Sequence, residues 1–294
     1  MKTLATAIAA IALIATPSFA ADMAVKAPPP APAPVPTWTG FYGGIQFGGG
    51  WSDEAVNLSP NDPFAAALLN GSFAPFGTTI VGQQPLPNGI RVRQSGPVGG
   101  FEAGYNWQWS NWVLGAEADF SFSGMSGTAS GTSNLGFFGI LTTQTTTAQQ
   151  STDWYGTVRG RVGWLATPNL LLFGTGGFAY GRVADSANVA FSQNLGLTFP
   201  PTFVGINCLA GSCFPGSSSA IRTGWTAGGG LEWLLDQHWS AKVEYQFVDL
   251  GTQTVQLIAQ NNFATITPFT PSSFSATFHD RFNVVRLGLN YRFW

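Results

Sequence analysis

The last thirteen residues, Phe282 to Trp294, alternate without a slip: Val285, Leu287, Leu289, Tyr291 and Phe293 fall on one face, Val284, Arg286, Gly288, Asn290 and Arg292 on the other. A period of two is the period of a strand. An apolar face ending in aromatics and backed by two arginines suits neither a soluble core nor a helix. It suits a wall with lipid on one side and a polar interior on the other.

The same alternation recurs along the chain. Residues 38–51 place Phe41, Ile45, Phe47 and Trp51 opposite Tyr42 and Gln46. In 98–109, Phe101, Tyr105, Trp107 and Trp109 oppose Glu102 and Asn106, and in 112–123 Leu114, Phe120 and Phe122 oppose Glu117 and Asp119. Segments 153–166, 221–235 and 239–252 read likewise, whereas both faces of 170–183 carry aromatics and its parity stays open. Ser110-Asn111, Thr167-Pro168-Asn169 and Asp236-Gln237-His238 are short turns; residues 52–90, 124–150, 184–220 and 253–277 lose the period and read as long loops. Eight strands joined alternately by short turns and long loops predict an all-β fold, an eight-stranded antiparallel up-and-down transmembrane β-barrel. Its short turns, Asn169 among them, are expected to be periplasmic and its long loops, with Asn134, extracellular.

Composition narrows the class. Only 9% of the 294 residues are charged, while 37 are Gly and 24 are Phe, and a soluble domain carries about a quarter charged. No apolar run of eighteen or more occurs beyond the N-terminus, which argues against helical spans. A net charge of −2 gives no footprint for nucleic acid. Residues 1–20, with Lys2, an apolar run and Ser18-Phe19-Ala20, read as a secretory signal; residues 21–37, rich in proline, read as a periplasmic spacer. The barrel is then 38–294. Export places Cys208 and Cys213, with four residues between them, where a local disulfide is expected.

Ten ionisable residues share the face opposite the apolar one: Glu102, Glu117, Asp119, Arg159, Arg161, Glu232, Lys242, Glu244, Arg286 and Arg292. Eight strands enclose only enough room for side chains to fill. Five acids and five bases are therefore expected to pair as a structural plug, Glu117 with Arg159 among them, in preference to an ion path. His238-Trp239-Ser240 beside Asp236, and His279-Asp280 with Asp249, are the combinations closest to catalytic chemistry. Turn chemistry explains the first and a hydrogen bond at the rim the second. Two cysteines and two histidines make no metal site, and neither a catalytic residue nor a cofactor is expected.

Trp38-Thr-Gly-Phe-Tyr-Gly-Gly, Gly100-Phe-Glu-Ala-Gly-Tyr-Asn-Trp, Gly115-Ala-Glu-Ala-Asp, Gly156-Thr-Val-Arg-Gly-Arg-Val-Gly, Val243-Glu-Tyr-Gln-Phe-Val-Asp-Leu-Gly and Val285-Arg-Leu-Gly-Leu-Asn-Tyr-Arg-Phe follow one another in order. Together they resemble the small outer-membrane immunogenic, porin-like surface antigens of Gram-negative bacteria. The resemblance implies a barrel similar to the transmembrane part of outer membrane protein A, residing in the outer membrane amid lipid and lipopolysaccharide. Tyr291, Phe293 and Trp294 resemble the terminal signal read by the barrel-assembly machinery, although Trp follows the usual final Phe. Some relatives bind haem, but His238 and His279 form no haem motif. The expected function is non-enzymatic: envelope integrity and presentation of surface loops whose ligand the sequence does not name. A narrow porin-like diffusion channel is the alternative.

Overall fold

The computed structural model describes residues 37–71, 84–137, 140–192, 212–260 and 272–293. The signal segment, nearly all of the spacer, Cys208 and Trp294 lie outside the described residues. Eight strands, β1 (Gly40–Pro60), β2 (Ile90–Trp109), β3 (Trp112–Phe137), β4 (Ile140–Thr167), β5 (Leu170–Phe191), β6 (Phe214–Leu234), β7 (Trp239–Ile258) and β8 (Ser273–Arg292), close into one antiparallel barrel. Each pairs with its sequence neighbour, and β8 returns to β1 with Tyr42 opposite Arg292 and Phe47 opposite Leu287. Closure leaves no free edge, as a lipid-facing sheet requires.

Parity runs as the alternation demands. Phe41, Ile45 and Phe47 point out while Tyr42 and Gln46 are buried; Leu287 points out while Arg286 is buried. The fifth strand's parity, open in the sequence, is settled by its neighbours: Leu171, Phe173, Thr175 and Ala179 face in, Leu172 and Phe178 face out. The outer apolar belt stops where charges come to the outer face, at Asp53 with Arg91 and Arg93, Asp153 with Arg182, and Asp249 with Arg281.

Beyond those charges the strands run on into all four expected loops. Residues 124–150 are mostly a β3–β4 ribbon, paired from Met125 opposite Thr152 to Phe137 opposite Ile140. β5 and β6 pair as far as Val189 and Phe214, and β7 and β8 as far as Ile258 and Ser273. The segment 52–90 continues β1 to Pro60 and then forms a helix, α1 (Pro63–Asn70). The Asp62 side chain caps it by accepting from the Ala65 N–H, Pro63 occupies the first turn, and Gly71 at φ 64° ends it in the left-handed conformation. The two ends of the barrel therefore differ in strand extension as well as in loop length.

Register shifts explain where the sequence signal broke. Three of the four fall between Phe122 and Met125, Thr152 and Trp154, and Asp249 and Thr252, and the fourth lies between Leu165 and Thr167, beside a short turn. On β7 the extra residue is Gly251, at φ 88°, a conformation that side chains rarely adopt. Lumen-facing residues are even-numbered up to Leu250 and odd-numbered from Gln253 onward.

Candidate functional site

The lumen gathers nine ionisable side chains into one network, and strand pairing positions them. Glu117 on β3 lies directly opposite Arg159 on β4, and Glu232 opposite Lys242, because β3–β4 and β6–β7 are hairpin or ribbon neighbours in register. Arg159 bonds Glu117 beside it and Glu244 across the lumen, with Asp119 at 3.0 Å. Arg286 joins Asp119 at 3.3 Å to Glu244 at 3.0 Å. Arg161 bonds Glu232 and lies 4.0 Å over the Phe173 ring. Tyr42 donates to Glu117 Oε2 at 2.6 Å, Ser240 to Glu232 Oε1 at 2.5 Å and Asn290 to the same oxygen at 3.2 Å.

Burial is nearly complete: the ion-paired side chains of this network are at most 3% exposed. Each isolated charge here would cost several kcal/mol to desolvate, so the pairing is a condition of folding. Glu102, Glu117 and Glu244 bring carboxylate oxygens within 4.8 Å of one another, a geometry that could hold a cation. The Lys242 ammonium already fills that position, 2.5 Å from Glu102, 3.5 Å from Glu117 and 3.4 Å from Glu244. The expected ten-member network has nine members. Arg292 has no carboxylate partner among the described residues; its guanidinium donates to the Thr37 carbonyl and sits 5.5 Å over the Trp38 ring, because β8 carries it to the mouth of the barrel.

Apolar layers close the lumen on both sides of the ions. At the short-turn end Trp38, Val113, Leu165, Leu171, Phe173 and Leu234 pack together. Trp38 is fixed there by its backbone N–H to Gln108 at 2.7 Å and its indole N–H to the Pro168 carbonyl at 3.1 Å. On the other side Val98, Met125, Tyr155, Val248, Phe282 and their neighbours form a second layer. A third fills the extended end, where Ala65 and Leu68 of α1 meet Val56, Leu58, Val92, Phe214, Leu257, Phe274 and Phe278. Sequence reading missed Trp38 as a seal and missed α1, although Asp62-Pro63 before an apolar run and Gly71 after it are the ordinary marks of a short helix.

Neither catalytic combination assembles. Asp236 accepts from the backbone N–H groups of His238 and Trp239, both at 2.7 Å, as a turn aspartate does, while Ser240 points into the lumen toward Glu232. His279 and Asp280 fall on opposite faces of β8, and Asp249 pairs with Arg281 at 3.0 Å. The expected rim contact is thus made by Arg281.

Residues 6–293 match the family model described as "Outer membrane protein beta-barrel domain". A 31 kDa outer-membrane immunogenic protein of Brucella melitensis biotype 1 is 33% identical over 287 residues, covering 96% of each chain. A 25 kDa outer-membrane immunogenic protein of Brucella abortus biovar 1 is 25% identical over 266 residues, 87% of this chain and 88% of that one. A 22 kDa outer membrane protein of Rhizobium leguminosarum bv. viciae is 26% identical over 190 residues, 65% and 63%. Among solved structures, the outer membrane protein OprG from Pseudomonas aeruginosa aligns with 88% of this chain and 99% of its own at 10% identity and a TM-score of 0.42. A closed ring of eight antiparallel strands, an apolar belt outside and a sequence match along nearly the whole chain lead to one conclusion: this protein is an outer-membrane β-barrel and belongs to the outer membrane protein beta-barrel domain family.

Proposed function

We propose that this barrel is a closed, non-enzymatic element of the envelope that presents its extended end at the cell surface. The observation that carries the reading is a lumen filled along its length, by ions neutralising one another between apolar layers and by α1 seated in the extended half. A water-filled path needs polar groups free to exchange with moving solvent; here most of the ionised groups are held by at least two partners. In this reading the short turns are periplasmic and the 20- to 28-residue strands carry the far end well beyond the hydrocarbon, about 30 Å thick. Two Brucella relatives are named immunogenic, which fits a surface-presented far end. Tyr291 and Phe293, outward and 5.3 Å apart by ring centroid, serve with Trp294 as the assembly signal, and Cys208 bridges to Cys213.

Planar-bilayer recording on the purified, refolded protein tests the closed reading. Wild type is expected to pass little current, and removing Glu117 and Arg159 together is expected to raise conductance by clearing space without stranding one partner. Large, steady wild-type currents that the double variant leaves unchanged would establish the diffusion channel instead.

A further inference from the structure

The extended half of the lumen contains a polar layer sealed between two apolar ones. On β5 the inward sequence is Val183, Asp185, Ala187; on β8 it is Phe282, Asp280, Phe278; on β7 it is Leu250, Gln253, Val255. The first residue of each set belongs to the middle apolar layer and the last to the outer one. Gln150 of β4, paired directly with Asp185, and Gln94 of β2 lie at the same level.

This layer has too few donors. Asp185 is 1% exposed; the Gln150 side chain lies close enough to favour its charged form, but neither carboxylate oxygen accepts a hydrogen bond of ordinary geometry. Asp280 Oδ2 and the Oε1 atoms of Gln94, Gln150 and Gln253 are likewise buried without one. Gln150 ties the group together by donating to Asp280 Oδ1 at 2.8 Å and to the His279 carbonyl at 3.2 Å. Arg222, the nearest base, stands 3.9 Å from Asp280 Oδ2, donates to the Thr252 carbonyl instead, and is 29% exposed. The contrast with the ion network below is sharp, since there every acid has a base.

We propose that Asp185, Asp280 and Gln150 form a binding site for a hard divalent cation, calcium or magnesium, with Gln94 and Gln253 at the same level as further oxygen donors. Such ions take six to eight or six oxygen ligands respectively, from carboxylates, amide carbonyls and water. A single shared proton would satisfy at most two of these acceptors, whereas a divalent ion beside Gln150, which is paired with Asp185 and bonded to Asp280, would neutralise both carboxylates. Asp185 and Asp280 lie past Arg182 and Arg281, the charges that end the apolar belt, so the layer belongs to the extended half and not to the membrane belt.

Protons compete for the site, because metal binding needs both carboxylates ionised, so affinity falls toward acid pH. Arg222, His279 and Asp249, the last paired with Arg281, are the other charged or titratable groups that face it.

The test is calorimetric titration of the full-length barrel, refolded in a zwitterionic lipid and freed of metal, with calcium chloride and then magnesium chloride. One equivalent is expected to bind at pH 8, at least ten-fold more weakly at pH 5 or in Asp185→Asn, and unchanged in Asp53→Asn, whose carboxylate pairs with Arg91 and Arg93 on the outer surface. No saturable binding, or binding that Asp185→Asn leaves intact, overturns the proposal. Should that variant fail to refold, infrared difference spectra of wild type decide. Loss of the protonated-carboxyl band on adding calcium supports a metal site, and an unchanged band means that protons alone satisfy the layer.

Discussion

The two halves of this barrel obtain their apolar burial from opposite sides of the same wall. In the belt between the short turns and the first outward charges, Leu287, Val243 and Phe47 point out into lipid and the lumen holds ions. In the extended half Thr254, Ser217 and Ser219 point out, and the lumen holds Val56, Leu257, Phe274 and Phe278. The belt is a membrane protein, stabilised by hydrocarbon outside it, and its interior must be polar enough to pair charges yet dry enough to stay closed. The extension behaves like a small soluble β-barrel with a hydrophobic core. One continuous set of strands changes its rule where the outside changes from lipid to water.

Arg159→Ala is expected to break the belt most severely. It takes the closest base from both Glu117 and Glu244, leaving them only the more distant Lys242 and Arg286 and an excess of buried negative charge, and should cost about 3 to 5 kcal/mol in a refolding titration in lipid. Removing Glu117 as well should cost less than the two single losses added; full additivity would mean that the two do not act as a pair.

Phe274→Ala addresses the extension. Phe274 is fully buried, packs edge-on against Phe214 with centroids 5.1 Å apart, and its truncation should cost about 3 to 5 kcal/mol. Limited proteolysis is expected to cut the extended half while the belt keeps its heat-resistant electrophoretic mobility. Simultaneous loss of both would show that the halves share one cooperative core.

Leu287→Arg puts a guanidinium into hydrocarbon, at a cost of about 2 to 4 kcal/mol near the midplane. Thr254→Arg makes the same charge at an outward position of the extension and should stay within about 0.5 kcal/mol, as exposed surface changes do. Comparable losses in a single urea series would erase the boundary between the halves.

Legibility followed that boundary too. Alternation was clear where one face met lipid, and the belt's strands, turns and inward charges were readable down to the pairing of Glu117 with Arg159. It faded in the segments after Ser123, before Asp153 and after Thr252, next to three of the four register shifts. Past them the outer face is Ser, Thr and Gln, hydroxyls and amides that contrast weakly with the glycines and alanines opposite, and on β4 and β7 an extra residue has moved the inward set to the other parity. A long ribbon such as β3–β4 therefore resembles a polar loop. Arg292 was misplaced for a different reason: parity says which face a side chain takes but not how far along the barrel it sits.

By itself, the sequence determined that strands with a period of two and uncharged outer faces must close on themselves, because every backbone group in lipid needs a partner within the protein. It determined as well that ten ionisable groups point inward. Tertiary structure alone decided which of them meet, since Arg159 with Glu244 and Lys242 with Glu102 are contacts across the lumen between strands distant in the chain. It also decided that Lys242 occupies the centre of three carboxylates, that Trp38 seals one mouth and α1 fills the other, and that Asp185 has no ion pair and Asp280 only Arg222 at 3.9 Å. Those outcomes depend on the width of the closed ring and the height of each residue within it, neither of which is encoded in any single strand.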